Sequence, residues 1–357
     1  MRLTALFRPL AAASAVAAAA LAGCGSTPPA GPGGAASSAP PQAATPSTNA
    51  SINAPAAVRI GVALGGGAAK GFAHIGVIKM LEANAFAPAV VAGTSAGSVV
   101  GALYAAGMNA FELQEKAVAL DETSIRDLQL SSGGLVLGQK LEDYVNAQVR
   151  NQPLDKLAKP FVAVATRLED GERTVFARGN TGQAVRASSS VPGVFQPVAI
   201  GKYHFVDGGI VSPVPVDAAR QLGADIVVAV DISNKARGQT PAGMLGTLGQ
   251  SIAIMGHKLG HAELARADVV IRPQVLDIGA ADFTQRASAI LEGEKAALAA
   301  MPQIRERVAQ WQAARAEAAR IAQHKAAEAQ RQVCLEQRTR LQKLAGMAGL
   351  DGSCPAP

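Results

Sequence analysis

Residues 90–101 read V-V-A-G-T-S-A-G-S-V-V-G. A lone serine, Ser95, stands two residues after Gly93 and two before Gly97, between a β-branched run and a small-residue helical pattern. A nucleophilic serine must be exposed, close to hydrogen-bond donors for an oxyanion, and held in one rotamer. A sharp strand-to-helix turn supplies all three, and the following helix adds the positive end of its dipole. The plainer reading is a tight turn that needs glycine. A second loop, G-G-G-A-A-K-G at 65–71, opens with Gly65, Gly66, Gly67 and Ala68. It follows one apolar run and precedes a helical pattern. A glycine loop at a helix N-terminus presents backbone N–H groups to a phosphate or a carbonyl oxyanion. A dinucleotide is disfavoured. The spacing of Gly65, Gly67 and Gly71 is one residue too long, and the next strand ends without the acid that would hold a ribose.

A serine nucleophile needs a base, and histidine is the usual one. His74 lies inside the first predicted helix and reads as packing. His204 sits three residues before Asp207 on a strand, so alternation sends it to the opposite face from that aspartate. His257 and His261 are spaced i,i+4 on a late helix, without an E-x-x-H arrangement to support a metal. His324 lies in the tail. Asp207 is the better candidate. It closes an apolar strand in F-V-D-G-G, where Gly208 and Gly209 let a backbone approach closely. There it either caps a turn or accepts the Ser95 proton directly. As an ordinary carboxylate, with a pKa of about 3.9, it is a weak base and would need partial desolvation.

The elements that must position these residues follow a βαβα rhythm. Strands are predicted at 58–64, 88–92, 160–166, 173–176, 203–206, 225–230 and 267–272. Helices are predicted at 72–83, 96–106, 111–120, 140–149 and 216–222. Runs apolar on both faces indicate a parallel sheet covered by helices. From residue 301 the composition shifts to Ala, Arg, Gln, Glu and Lys, which favours a long helix over 303–345. Ile304, Val308 and Trp311 stand at helical spacing and would dock it. Its apolar residues hold no heptad, so a coiled coil is weakly supported.

The glycine loop, the elbow G-T-S-A-G and the D-G-G after a strand, in this order, resemble the patatin-like phospholipase family. The blocks A-S-S-S-V-P-G-V-F-Q-P at 187–197 and D-G-G-I-V-S-P-V-P-V at 207–216 extend the resemblance. It covers about 58–235 strongly and fades towards 300. It implies a three-layer α/β/α fold with a mainly parallel central sheet, and a catalytic Ser–Asp dyad with no histidine. By that resemblance Ser95 is the nucleophile, Asp207 the base, and the amides of Gly65, Gly66, Gly67 and Ala68 frame the oxyanion hole. Lys70 fills the loop's basic position and is expected to be a surface charge that orders the loop. Ala68 departs from the pattern, since many members carry a fourth glycine there. The implied reaction is hydrolysis of a lipid acyl ester, which needs no cofactor, and no carboxylate cluster suggests calcium.

The N-terminus reads as a targeting segment. Arg2 and Arg8 precede the apolar stretch 10–21, which ends in L-A-G-C. This resembles a bacterial lipobox, implying removal of residues 1–23 and lipidation at Cys24. Residues 24–57, rich in Gly, Pro, Ser and Ala, read as a disordered tether reaching about 100 Å at ~3.3 Å per residue. The hydrolase domain is expected over 58–300 and a helical extension over 301–357. No aspartate follows Cys24, and by the bacterial sorting pattern this favours the outer membrane, facing the periplasm. In such an oxidising compartment Cys334 and Cys354 could close a disulfide within the chain; two unpaired thiols, or pairing between chains, are the alternatives. The net charge of +6 spreads over 33 basic and 27 acidic residues without a dense basic block, so no nucleic-acid partner is read. The expected partners are a lipid or acyl-ester substrate and, through the anchor, a membrane. A lipid-binding or envelope-scaffold lipoprotein is the competing function class. A loop over 121–138, hinged at Ser131-Ser132-Gly133-Gly134, is a candidate lid.

Overall fold

In the computed structural model, residues 57–121, 127–131, 134–233, 243–345 and 354 are described. The first half runs β1 (Ile60–Leu64), α1 (Ala73–Ala83), β2 (Val90–Thr94), α2 (Ala96–Ala105), α3 (Ala110–Ala119), β3 (Leu128–Ser131), β4 (Gly134–Val136) and α4 (Gln139–Gln148). Next come β5 (Phe161–Arg167), β6 (Arg173–Phe176), α5 (Thr181–Ser188), β7 (Val198–Ile200), β8 (Tyr203–Asp207) and α6 (Val216–Gln221). Then follow β9 (Ile226–Val230), α7 (Gly243–Leu264), β10 (Val269–Ile271) and α8 (Arg286–Ala345). The predicted signal, Cys24 and nearly all of the tether lie outside the described residues.

An eight-stranded sheet has the order β10-β9-β1-β2-β5-β8-β7, with β6 also on β5. The first five strands of that order are mutually parallel, so their C-terminal ends share one edge. Their Val, Ile and Ala residues are buried on both sides, as a sheet covered on two faces requires. Ile60, Val62 and Leu64 point into one apolar cluster with α1, α2, α3 and α8. Ala63, Val90 and Ala92 point into another with residues of α6 and Leu264 at the end of α7.

The β5 register decides where Ser95 and Asp207 sit. β2 pairs with β5 in parallel up to Thr94 opposite Val164. β8 pairs with β5 antiparallel, and its last residue, Asp207, stands opposite Ala165. β6 takes the other edge of β5, since it pairs with 163–166 and overlaps both. So β2 and β8 share one edge of β5 and run into each other end to end. Ser95 follows one end and Asp207 forms the other.

α8 begins well before the expected tail and crosses residue 300 without a break. Ala289, Ile290, Ala297, Met301, Ile304 and Val308 are buried along one face of it, so its first half belongs to the core. Pro302 forgoes one helical N–H without ending the helix. Gly76 of α1 and Gly293 of α8 permit a backbone-to-backbone crossing. A Cβ at Gly76 would lie 2.0 Å from the Ile290 carbonyl oxygen, and one at Gly293 2.0 Å from that of Ala73. Cys334 near the far end of α8 is disulfide-bonded to Cys354.

The candidate lid region holds the antiparallel pair β3–β4, with residues 122–126 and 132–133 outside the described set. The Val136 N–H donates to the Val194 carbonyl and the Gln196 N–H to the Val136 carbonyl, which ties this end of the segment down.

The α1–α8 crossing makes a direct prediction. Gly76→Ala or Gly293→Ala must push the helices apart, and each should cost about 2 kcal/mol or more. Gly249→Ala on α7, with no atom within 4 Å of the new methyl, should be neutral or stabilising. Thermal denaturation of the three variants checks this, and equal Tm values would contradict it.

Candidate active site

Ser95 sits where β2 ends and α2 begins, with φ 53° and ψ −124°. A non-glycine residue in that region is strained, at a cost of about 1–3 kcal/mol. The strain sits on the serine and not on its glycines. Gly93 and Gly97 have no positive φ; they are needed for close approach. A Cβ at Gly97 would lie 2.1 Å from the Leu64 carbonyl oxygen, and one at Gly93 2.5 Å from that of Gly97. The same holds at the facing strand end, where a Cβ on Gly208 would meet the Val164 carbonyl oxygen at 2.1 Å.

Polar side chains pin this turn. The Ser95 N–H donates to Ser188 Oγ at 2.9 Å, and that hydroxyl donates to the Val164 carbonyl at 2.6 Å. The Ser98 hydroxyl donates to the Ser95 carbonyl at 2.6 Å. Thr94 Oγ1 donates to the Ser212 carbonyl at 2.8 Å, linking β2 to the chain beyond β8.

Asp207 is buried, and its two oxygens are unlike. Oδ1 accepts the Gly209 N–H at 2.7 Å, as a turn cap does. Oδ2 is buried with no hydrogen-bond partner among the described residues. The Ser95 side chain is close enough to act on this carboxyl, though the pair falls short of an ordinary hydrogen bond. Such contacts often tighten only when substrate binds. Burial pushes the Asp207 pKa up to about 6, against the opposing pull of Ser95 and the Gly209 N–H. Oδ1 thus caps the turn, while Oδ2 makes no hydrogen bond among the described residues. His204 lies on the other face, exposed, with Nδ1 2.9 Å from Glu169 Oε1.

The glycine loop differs from expectation in two respects. The Gly65 N–H donates to the Val230 carbonyl at 3.1 Å and the Gly66 N–H to that of Pro213 at 3.0 Å. These two amides tie the loop to its neighbours and are not free to serve an oxyanion. The Gly67 and Ala68 amides make no such bond among the described residues. Ala68 adopts φ 52°, the left-handed conformation a fourth glycine would take more readily. Lys70 is the second correction. It is fully buried rather than a surface charge, because 68–72 winds into a 3₁₀ turn that carries its side chain inward.

Two buried ionisable residues support the site, and neither was singled out from sequence for this. His74 is fully buried, and its Nε2 donates to the Gly65 carbonyl at 2.8 Å, while Nδ1 has no partner among the described residues. Burial lowers its pKa to about 4, so the ring is neutral at pH 7. Glu263 of α7 accepts the Ser212 hydroxyl at 2.5 Å and the Val214 N–H at 2.8 Å, fixing the chain that follows Asp207. Burial pushes its carboxyl pKa up.

Residues 62–220 match the family model described as patatin-like phospholipase. The chain resembles that family over this stretch, a little under half of its length. Ser95 and Asp207 both fall inside the match. An uncharacterised NTE family protein of Mycobacterium tuberculosis is 36% identical over 183 residues, covering 50% of this chain and 51% of that one. Patatin-like phospholipase domain-containing protein 6 of Mus musculus is 32% identical over 184 residues, covering 49% of this chain and 14% of that one. The chain thus spans about half the length of the first of these relatives and a small part of the second. Among solved structures, VipD from Legionella pneumophila aligns with 71% of this chain and 67% of its own, with a TM-score of 0.40 and 14% identity.

The two shifted pKa values oppose each other in stability. His74, depressed in the fold, stabilises above its unfolded pKa of 6.5, and this is lost as pH falls towards 4. Asp207, raised in the fold, stabilises below 3.8, and this is lost as pH rises through about 6. In Asp207→Asn the aspartate's contribution is removed while that of His74 remains. Relative to the parent, the variant should therefore lose Tm progressively as pH falls from 6 to 4. Parallel melting curves across that range would contradict the buried carboxylate's raised pKa.

Proposed function

We propose that this chain is a serine acyl hydrolase of lipids, of the phospholipase A or esterase type, working through Ser95 and Asp207. The observation that carries the reading is the end-to-end meeting of β2 and β8. It sets a strained serine beside a buried carboxylate that has one uncommitted oxygen. The resemblance to patatin-like phospholipases supports lipid as the substrate class.

In this reading Ser95 Oγ attacks the ester carbonyl carbon while its proton passes to Asp207 Oδ2. The tetrahedral oxyanion takes hydrogen bonds from the Gly67 and Ala68 amides, at the positive end of the α2 dipole. Collapse breaks the carbonyl–oxygen bond, and the departing alcohol takes the proton from Asp207. Water then attacks the acyl-enzyme, gives a proton to Asp207, and releases the fatty acid. Ser95 recovers its proton in that step. A carboxylate can serve as the base here because burial brings its pKa to about 6, near a working pH.

The same reading places the protein on a membrane, lipidated at Cys24 and facing the periplasm from the outer membrane. The L-A-G-C stretch and the tether composition support this. So does the Cys334–Cys354 disulfide, which suits an oxidising compartment.

Hydrolysis of p-nitrophenyl acyl esters tests the chemistry. Ser95→Ala should lower turnover by at least roughly 10³-fold, and Asp207→Ala should also be severely impaired. The parent's kcat/KM should fall on the acid side with an apparent pKa of about 6. Unchanged turnover in Ser95→Ala sinks the reading, and lipid capture without turnover would favour a scaffold instead. For the anchor, cells fed labelled palmitate should label the parent and not Cys24→Ser.

A further inference from the structure

α7 is docked by one face only. Gly256 lies against the carbonyl of Gly209, two residues beyond Asp207, and Gly260 lies against Pro213. Glu263 holds Ser212 and Val214. These positions, spaced i, i+4 and i+7, make up the docked face. Beside it runs a second stripe at i, i+4, i+7 and i+11: Leu248, Ile252, Met255 and Leu259. Leu248, Met255 and Leu259 are exposed by 41%, 49% and 41%, large values for apolar side chains in a row. From Gly243 to Gly256 the helix carries no charged residue at all. Its one exposed side chain of fixed charge is Lys258, and its one carboxylate, Glu263, is buried in the docked face.

We propose that the Leu248–Leu259 stripe of α7 is a lipid-docking surface, lying in the headgroup boundary of a bilayer and holding the Ser95–Asp207 site against its substrate. This rests on the lipid hydrolase reading above and adds the partner surface to it. An apolar stripe edged by a cation and free of exposed carboxylates fits the boundary of a membrane with phosphate headgroups. Gly256 touches Gly209, so the stripe sits beside the catalytic strand end and not on a remote face. No helix among the described residues is long and apolar enough to cross a membrane; in this proposal α7 lies along the bilayer surface. A lipid ester leaving that bilayer would have a short path to the nucleophile.

The test uses the full chain with Ser95→Ala, to prevent hydrolysis, and Trp311→Phe, to remove the single native tryptophan. A reporter is placed by Met255→Trp on the stripe or by Val118→Trp at an exposed position of α3. Each is mixed with vesicles of phosphatidylethanolamine and phosphatidylglycerol carrying brominated acyl chains. The Met255→Trp emission should shift to the blue and lose at least half its intensity, while Val118→Trp should change little. Equal quenching at both positions overturns the proposal, as does none at Met255→Trp. A concentration-dependent dimer that buries the reporter without vesicles also overturns it, by assigning the stripe to a second copy. In the active chain, Leu248→Asp with Met255→Asp should lower hydrolysis of vesicle phospholipid at least tenfold and leave p-nitrophenyl butyrate turnover unchanged. If the parent cleaves neither substrate, the hydrolase reading fails, while the quenching still decides the docking surface.

Discussion

The shared edge of β5 is the constraint on which the rest of the site depends. A parallel strand and an antiparallel strand occupy successive stretches of one edge, so their last residues must face each other. No loop is asked to place Ser95 beside Asp207; sheet register does it. Crowding follows at once. Three chain segments converge there, and the backbone after Leu64 and Val164 leaves no room for side chains at Gly97 or Gly208. The same crowding removes water from Asp207 and raises its pKa. Position and basicity therefore have a single cause.

The strain at Ser95 persists because its surroundings over-determine it. Its N–H is held by Ser188 and its carbonyl by the Ser98 hydroxyl, and both serines are buried. Thr94, one residue earlier, reaches across to the Ser212 carbonyl. These hydroxyls do what a larger side chain has no space to do. They satisfy backbone groups at a strand end, where neither sheet nor helix offers a partner. His74 and Glu263 extend the scheme outward. One holds the carbonyl that begins the glycine loop and the other the turn that follows Asp207.

Much of this was legible in the sequence, for identifiable reasons. Buried parallel strands read as continuous apolar runs, so β1, β2, β5 and β9 stood out near their true limits. The elbow stood out because small residues at fixed offsets survive only where backbones touch. What stayed hidden was mostly direction and pairing. Nothing in Y-H-F-V-D says that β8 runs antiparallel to β5, yet that reversal brings Asp207 to Ser95. Nor can a run of glycines say which amides are already bonded. Gly65 and Gly66 give theirs to Val230 and Pro213, residues far along the chain. Lys70 was misplaced because its burial depends on a 3₁₀ turn, and a lone lysine in a glycine loop gives no sign of one. The first half of α8 was missed because its stripe is written partly in Ala and Gly, small residues chosen for a close crossing over α1.

A base without an imidazole also has to solve a problem of direction. A carboxylate has two equivalent oxygens and can turn about its last torsion, so a proton acceptor built from one would ordinarily be loosely aimed. Here the Gly209 N–H fixes Oδ1, and a side chain at residue 209 would crowd that same oxygen, which a Cβ would approach to 2.9 Å. With Oδ1 held, Oδ2 is left buried and without a hydrogen-bond partner among the described residues. In the proposed dyad, the cap that a turn after a strand commonly demands would thus also aim the base. The glycine pair after Asp207 serves both ends: Gly208 lets the chain pass under Val164, and Gly209 supplies the N–H.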